Sequence, residues 1–277
     1  MTECGLTNLA ICIPEKIAEF AVSILNLAVE PLLNLNHSLL TEPVTISIFH
    51  PIWAIMVYII SLLYGLFFLF AGFNFMVSGY DAAKREKAKE WLLNIVLMIL
   101  FVQASYLIYE LMIEFGSLLT AGVINLINPD FFLMTADNIT NFGLQIVLLT
   151  PYVAVLLVTS VFLALRYLLV SMGILFFPIA IFLYFIPPVR AYGKLILNVL
   201  IVAILLPFFN ALILLGASML IDIPLFSNFK IVLVTVAYIS IELFMILLML
   251  FAALKAVFSV LESDTGKNVA KAAKYLI

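Results

Sequence analysis

Residues 52 to 78 contain no charged side chain and are rich in phenylalanine, at Phe67, Phe68, Phe70, Phe73 and Phe75. At about 1.5 Å per residue, a helix of that length exceeds the roughly 30 Å hydrocarbon core of a bilayer, so it spans with tilt or protrudes. Lipid offers no hydrogen bonds to an open backbone, so such a stretch must close its own bonds as a helix. Gly65, Ala71 and Gly72 on this run permit close approach by a neighbouring helix. The same character extends through the chain: 66% of the 277 residues are hydrophobic and only 10% are charged. Soluble domains are about 45–50% apolar, so the sequence reads as an all-α polytopic membrane protein. It has no basic stretch large enough to grip nucleic acid.

Charge placement gives the expected topology. Lys84, Arg85, Lys87 and Lys89 crowd the short connection after the first span. Basic short loops stay in the cytoplasm, so the N-terminus is expected outside. Trp91 suits the headgroup level at the start of a second span, from about 91 to 116. Glu110 and Glu114, one turn apart, fall near the outer headgroups. They read either as a paired-carboxylate site for a proton or cation, or as solvated interface residues. Residues 117 to 127 read as a helix resting on the outer surface. The following loop carries Asp130 and Asp137 and no basic residue. The sequons Asn36-His37-Ser38 and Asn138-Ile139-Thr140 both fall outside.

Upstream, Ile17, Phe20, Ala21, Ile24 and Ala28 recur at helical spacing, with Glu15, Lys16, Glu19, Asn26 and Glu30 largely elsewhere on the wheel. Pro14 suits the start and Pro31 the end of a helix lying in the interface. Cys4 and Cys12 are too far apart for a CxxC site. They read as a small-loop disulfide or as two free thiols. The first residues lack the basic start of a signal peptide, and the N-terminus is read as mature.

The stretch from Arg166 to Lys194 is the most irregular. Thr150-Pro151 opens a helix expected over 151 to 172, and Ser171-Met172-Gly173 is its first plausible break. Residues 174 to 189 hold Pro178 and end in Pro187-Pro188. They are expected to dip into the inner leaflet and return as a short re-entrant hairpin, in preference to a sixth crossing, which keeps Arg190 and Lys194 inside. Spans at 195 to 221, kinked at Pro207, and 231 to 254 follow. The lysines of the tail, at 255, 267, 271 and 274, read as a basic helix on the inner leaflet. The total is about five spans. Residues 1–46 form an outer segment, 47–257 the transmembrane domain and 258–277 a basic cytoplasmic tail.

Three residues stand out as candidate polar sites within the hydrocarbon: Arg166, Glu242 and Gln103. Arg166 and Glu242 lie at similar depths on helices running the same way, so they either pair or stand as a snorkelling arginine and a protonated glutamic acid. No phosphate-binding loop, HExxH, GxSxG or metal-spaced cysteine or histidine cluster occurs. An enzyme is not expected, nor is a cofactor or a metal.

The segment from Arg166 onward resembles the TrbL-like polytopic subunits of conjugative type IV secretion machines. The resemblance rests on Arg166 heading an apolar run, Pro178-Ile179-Ala180, Pro187-Pro188-Val189-Arg190 and the long span after Lys194. The stretch GFNFMVSGYDAAKREKAKEWLLNIVL, from Gly72 to Leu97, is similar to the TrbC-like pilin pattern and to archaeal membrane proteins of DNA-exchange systems. Together these cover roughly residues 52 to 221. The resemblance implies a cell-membrane part of a DNA- or protein-translocation channel, powered by separate ATPases. Its implied partners are other secretion subunits, further copies of itself, membrane lipid and translocated DNA. This sequence departs from the pattern in having no large soluble domain and few polar residues in its spans, so a wide pore would need an oligomer. A second class is a small ion channel or secondary transporter, with Arg166, Glu242, Gln103 and the broken segment as a midplane site.

The topology predicts an outside N-terminus and an inside C-terminus. A single cysteine at position 137 should react with an impermeant reagent in intact cells. One at position 271 should react only after the membrane is opened, and labelling there from outside would overturn the arrangement.

Overall fold

The computed structural model describes residues 9–133, 139–221, 223, 226 and 229–262. Among them are seven α-helices and no strand: α1 Leu9–Thr41, α2 His50–Val77, α3 Ala82–Gln103, α4 Ser105–Ile124, α5 Ile139–Phe185, α6 Arg190–Leu220 and α7 Lys230–Glu262. Five runs are long and apolar enough to cross a membrane: Ser47–Val77, Ser105–Ile124, Val147–Phe185, Pro187–Leu220 and Lys230–Ala252. The chain is therefore a multi-pass helical membrane protein, and α1 is not among the runs that qualify.

Three elements differ from their sequence expectations. First, α5 does not break at Gly173 or Pro178 but continues to Phe185, so residues 174 to 189 do not form a re-entrant hairpin. The chain reverses instead in a 3-10 turn at Pro187–Val189, and α6 starts at Arg190. Gly173 serves packing: a Cβ there would collide with the Tyr109 hydroxyl and lie 2.6 Å from Leu200 Cδ2. Second, α1 runs through Pro31 to Thr41. Proline costs a helix one hydrogen bond, yet Val29, Asn36 and Leu40 on either side of it are all buried, and that packing holds the helix together. Third, the second apolar run continues to Ile124 rather than folding onto the surface at 117. Only Ala104 leaves the regular pattern between α3 and α4. The i to i−4 bonds still pass through it, from Ala104 N–H to Leu100 O and from Ile108 N–H to Ala104 O, both at 3.0 Å.

The chain divides into two compact units. One comprises Met1–Glu42, Gly116–Arg166 and Leu206–Met245. In it the Tyr152 hydroxyl donates to Phe132 O at 2.9 Å, and Ser117 Oγ donates to Thr41 O at 2.6 Å. The Lys230 ammonium reaches Asp130 O, which gives a partner to a basic group at the end of α7 expected outside.

The other unit comprises Pro43–Phe115, Tyr167–Leu205 and Ile246–Ile277. Its core gathers Val57, Met98, Val102, Tyr109, Ile174 and Ile204, among others. Helices α2 and α3 form an antiparallel hairpin, closed at one end by Phe70 against Trp91 (5.4 Å) and at the other by Trp53 Nε1 donating to Ser105 Oγ (2.9 Å). Asp81 caps α3, its carboxylate accepting from the Ala83 and Lys84 N–H groups at 3.0 and 3.5 Å. Along α5, Phe177 meets Tyr109 and Phe185 meets Phe101, so α5 descends antiparallel to the α3–α4 run. Its end, and with it Arg190, therefore points toward the basic start of α3.

Gly193, at the start of α6, lies directly against α5: a Cβ there would strike the Tyr184 N–H and approach Ala180 O to 2.6 Å. Gly173→Ala should destabilise the protein by about 1–3 kcal/mol, because an added methyl in a filled core forces its neighbours aside. Gly193→Ala should cost more, since its obstacle is backbone and cannot rotate away. Thermal unfolding in detergent measures both, and an unchanged midpoint for Gly193→Ala would contradict the close crossing.

Candidate functional site

Polar side chains inside an apolar bundle locate the places where something other than packing is at work. In the first unit they converge on α5 between Leu156 and Ser160. Asn36 of α1 is 1% exposed. Its Nδ2 donates to Leu156 O at 3.2 Å, and its Oδ1 accepts from Ser160 Oγ at 3.0 Å. This corrects the reading of Asn36 as an outer sequon, because a buried, doubly bonded amide is closed to glycosylation. The other sequon, at Asn138, lies outside the described residues.

One residue before Ser160, the buried Thr159 hydroxyl donates to Glu242 Oε1 of α7 at 2.9 Å. Glu242 is half-buried. Arg166 is buried on α5, seven residues beyond Thr159 or about 10.5 Å of helical rise. The carboxylate thus takes its hydrogen bond from Thr159, two turns short of the level expected for a pair with Arg166. Sequence reasoning missed both Thr159 and Asn36, since neither type stands out in a helix until its partner is known. It also missed Asn210 of α6, which is fully buried and finds no hydrogen-bond partner for either amide atom.

In the second unit, the Tyr109 hydroxyl donates to Val170 O at 2.6 Å, beside the notch left by Gly173. Gln103 is exposed and sits beside the Tyr64 hydroxyl, short of hydrogen-bond geometry. Pro178 is buried, whereas Pro187 and Pro188 are exposed at the turn. Lys84, Arg85, Lys87 and Lys89 are all exposed, Lys84 lying 3.9 Å from Asp81 Oδ2. Arg190 and Lys194 are exposed too, and the Arg190 guanidinium stacks 4.7 Å above the Tyr184 ring. A cavity of about 180 Å³ opens between Pro43–Ser47 and α4, lined by Glu110 and Glu114.

No group of three or more His, Cys, Asp or Glu among the described residues is arranged to hold a metal ion. Cys4 lies outside the described residues and so does the Cys12 side chain; Cys12 itself belongs to α1. The tail lysines at 267, 271 and 274 lie outside them too.

Comparison with known proteins finds no matching family model, no matching curated protein and no matching solved structure.

Asn36→Ala should destabilise the protein by about 1–3 kcal/mol, because it removes two buried hydrogen bonds, while Ser160 Oγ keeps its own bond to Leu156 O at 2.8 Å. Unfolding in mixed detergent micelles measures the loss. Asn36 should also carry no glycan when the chain is expressed in a glycosylating host, and a glycan there would contradict its burial.

Proposed function

We propose that this chain is a membrane-embedded channel or scaffold subunit of a type IV secretion-like machine, moving DNA or protein under the drive of separate ATPases. The observation that carries the reading is the outer surface of α2. Its apolar run is only 17% buried within the chain, against 44% for the runs containing α5 and α6. Ile55, Leu62, Leu66, Leu69, Phe73 and Met76 form a continuous exposed stripe at helical spacing. Gly65 and Gly72 border that stripe with open space beyond their Cα atoms. Hydrophobicity alone does not drive helices together in lipid, so a flat glycine-edged face favours close packing with further subunits.

The charge pattern fits the same role. The basic start of α3 and the exposed Arg190 and Lys194 mark the cytoplasmic ends of their helices, with the N-terminus outside the cell membrane. There they meet lipid phosphate, a secretion-type ATPase or the translocated nucleic acid. The sequence features around Arg166, Pro178 and Pro187-Pro188 add the specific likeness to TrbL-like subunits. The alternative, a small channel or transporter with a shared midplane site, draws less support. Glu242 is engaged by Thr159 and Gln103 lies on an exposed face.

Two measurements separate the readings. Deleting the gene should abolish conjugative or secretory transfer, and restoring the chain should recover it. Purified chain alone in liposomes should pass no ions. Intact transfer after deletion, together with ion flux from the purified chain, would establish the transporter instead.

A further inference from the structure

Glu242 lies near the middle of the apolar run Lys230–Ala252, twelve residues from one end and ten from the other. It is the one charged residue between the run's first residue, Lys230, and Lys255. Its position on the helix wheel is a boundary. Tyr238, Ile241 and Met245 on one side are buried, whereas Val236, Ile239 and Leu243 on the other are between 47% and 58% exposed. One carboxylate oxygen is therefore fixed inward by Thr159, while the group as a whole stays half-buried at the edge of the surface facing lipid.

Hydrocarbon disfavours the ionised form, and the single neutral donor at Thr159 supplies no compensating charge. We propose that Glu242 is a reversible proton-binding site at the lipid-facing edge of α7, neutral when loaded, with Thr159 holding Oε1 and Oε2 carrying the proton. Loading adds one proton to the carboxylate and unloading returns it, with no other bond changed. The proposal goes beyond the secretion reading and does not depend on it.

The surroundings suit a lone proton carrier. The nearest titratable and charged groups in sequence along the two helices are Tyr238, one turn back on α7, Tyr152 of α5, whose ring lies 6.5 Å from that of Tyr238, and Arg166, two turns past Thr159. The buried amides of the same unit, Asn210 of α6 and Asn36 of α1, are uncharged. Thr159 gives the carboxyl a fixed orientation, and the exposed flank gives an apolar reagent access.

The test is carbodiimide labelling of the full chain in its native membranes, because these reagents add to a protonated carboxyl. N,N′-dicyclohexylcarbodiimide, which partitions into lipid, should add the mass of one reagent molecule to the peptide containing Glu242. Labelling should fall about tenfold for each unit of pH above its midpoint. A water-soluble carbodiimide should leave Glu242 unmodified while reacting at the exposed Glu114. Glu242→Gln should remove the label with membrane abundance unchanged; if that variant fails to accumulate, the pH profile of the wild-type chain decides. Any of three results would overturn the proposal: no adduct at Glu242 in folded protein that labels once denatured, equal reaction with the water-soluble reagent, or labelling independent of pH.

Discussion

An opened backbone inside hydrocarbon has nothing to bond with, and helix α5 is where that constraint governs the chain. It holds two glycines, two internal prolines and a buried arginine, yet it runs from Ile139 to Phe185 as one helix. In each unit it is also the helix that others bond to. Leu156 O accepts from Asn36, and Val170 O accepts from Tyr109. These side chains carry a polar group to a backbone carbonyl and so bury it without leaving it unpaired. Remove α5, and both anchor points disappear.

Span number was legible because it depends only on length and apolarity. What failed to read were the residues whose meaning depends on a neighbour. Gly173 looks like a break because glycine and a following proline commonly end helices. In the folded chain it is the gap into which Tyr109 and Leu200 fit. Pro31 looks like a terminator, but Asn36 and Leu40 beyond it are packed and bonded tightly enough to carry the helix on. Asn36 matched a surface motif of three residues, and three residues cannot report a partner 120 positions away. Glu242 was visible as a charge in an apolar run, but Thr159, an ordinary helix residue by sequence, was not visible as its donor.

The two ends of the second unit differ in chemistry. One end gathers the exposed lysines and arginines of α3 and α6. The other carries Glu110 and Glu114 on a small cavity beside the segment Pro43–Ser47. Between them α2 offers an apolar, glycine-edged face that the chain itself does not cover. The unit thus presents a basic end, an uncovered apolar face and an acidic cavity on separate surfaces.

The continuity of α5 tests this account most directly. Spin labels at positions 168 and 183, both within the second unit, bracket Gly173 and Pro178. The unbroken helix predicts a narrow distance distribution built on about 22 Å of axial rise. A distance well short of that rise, or a broad spread of distances, would mean that the chain turns back near Gly173 and would contradict it.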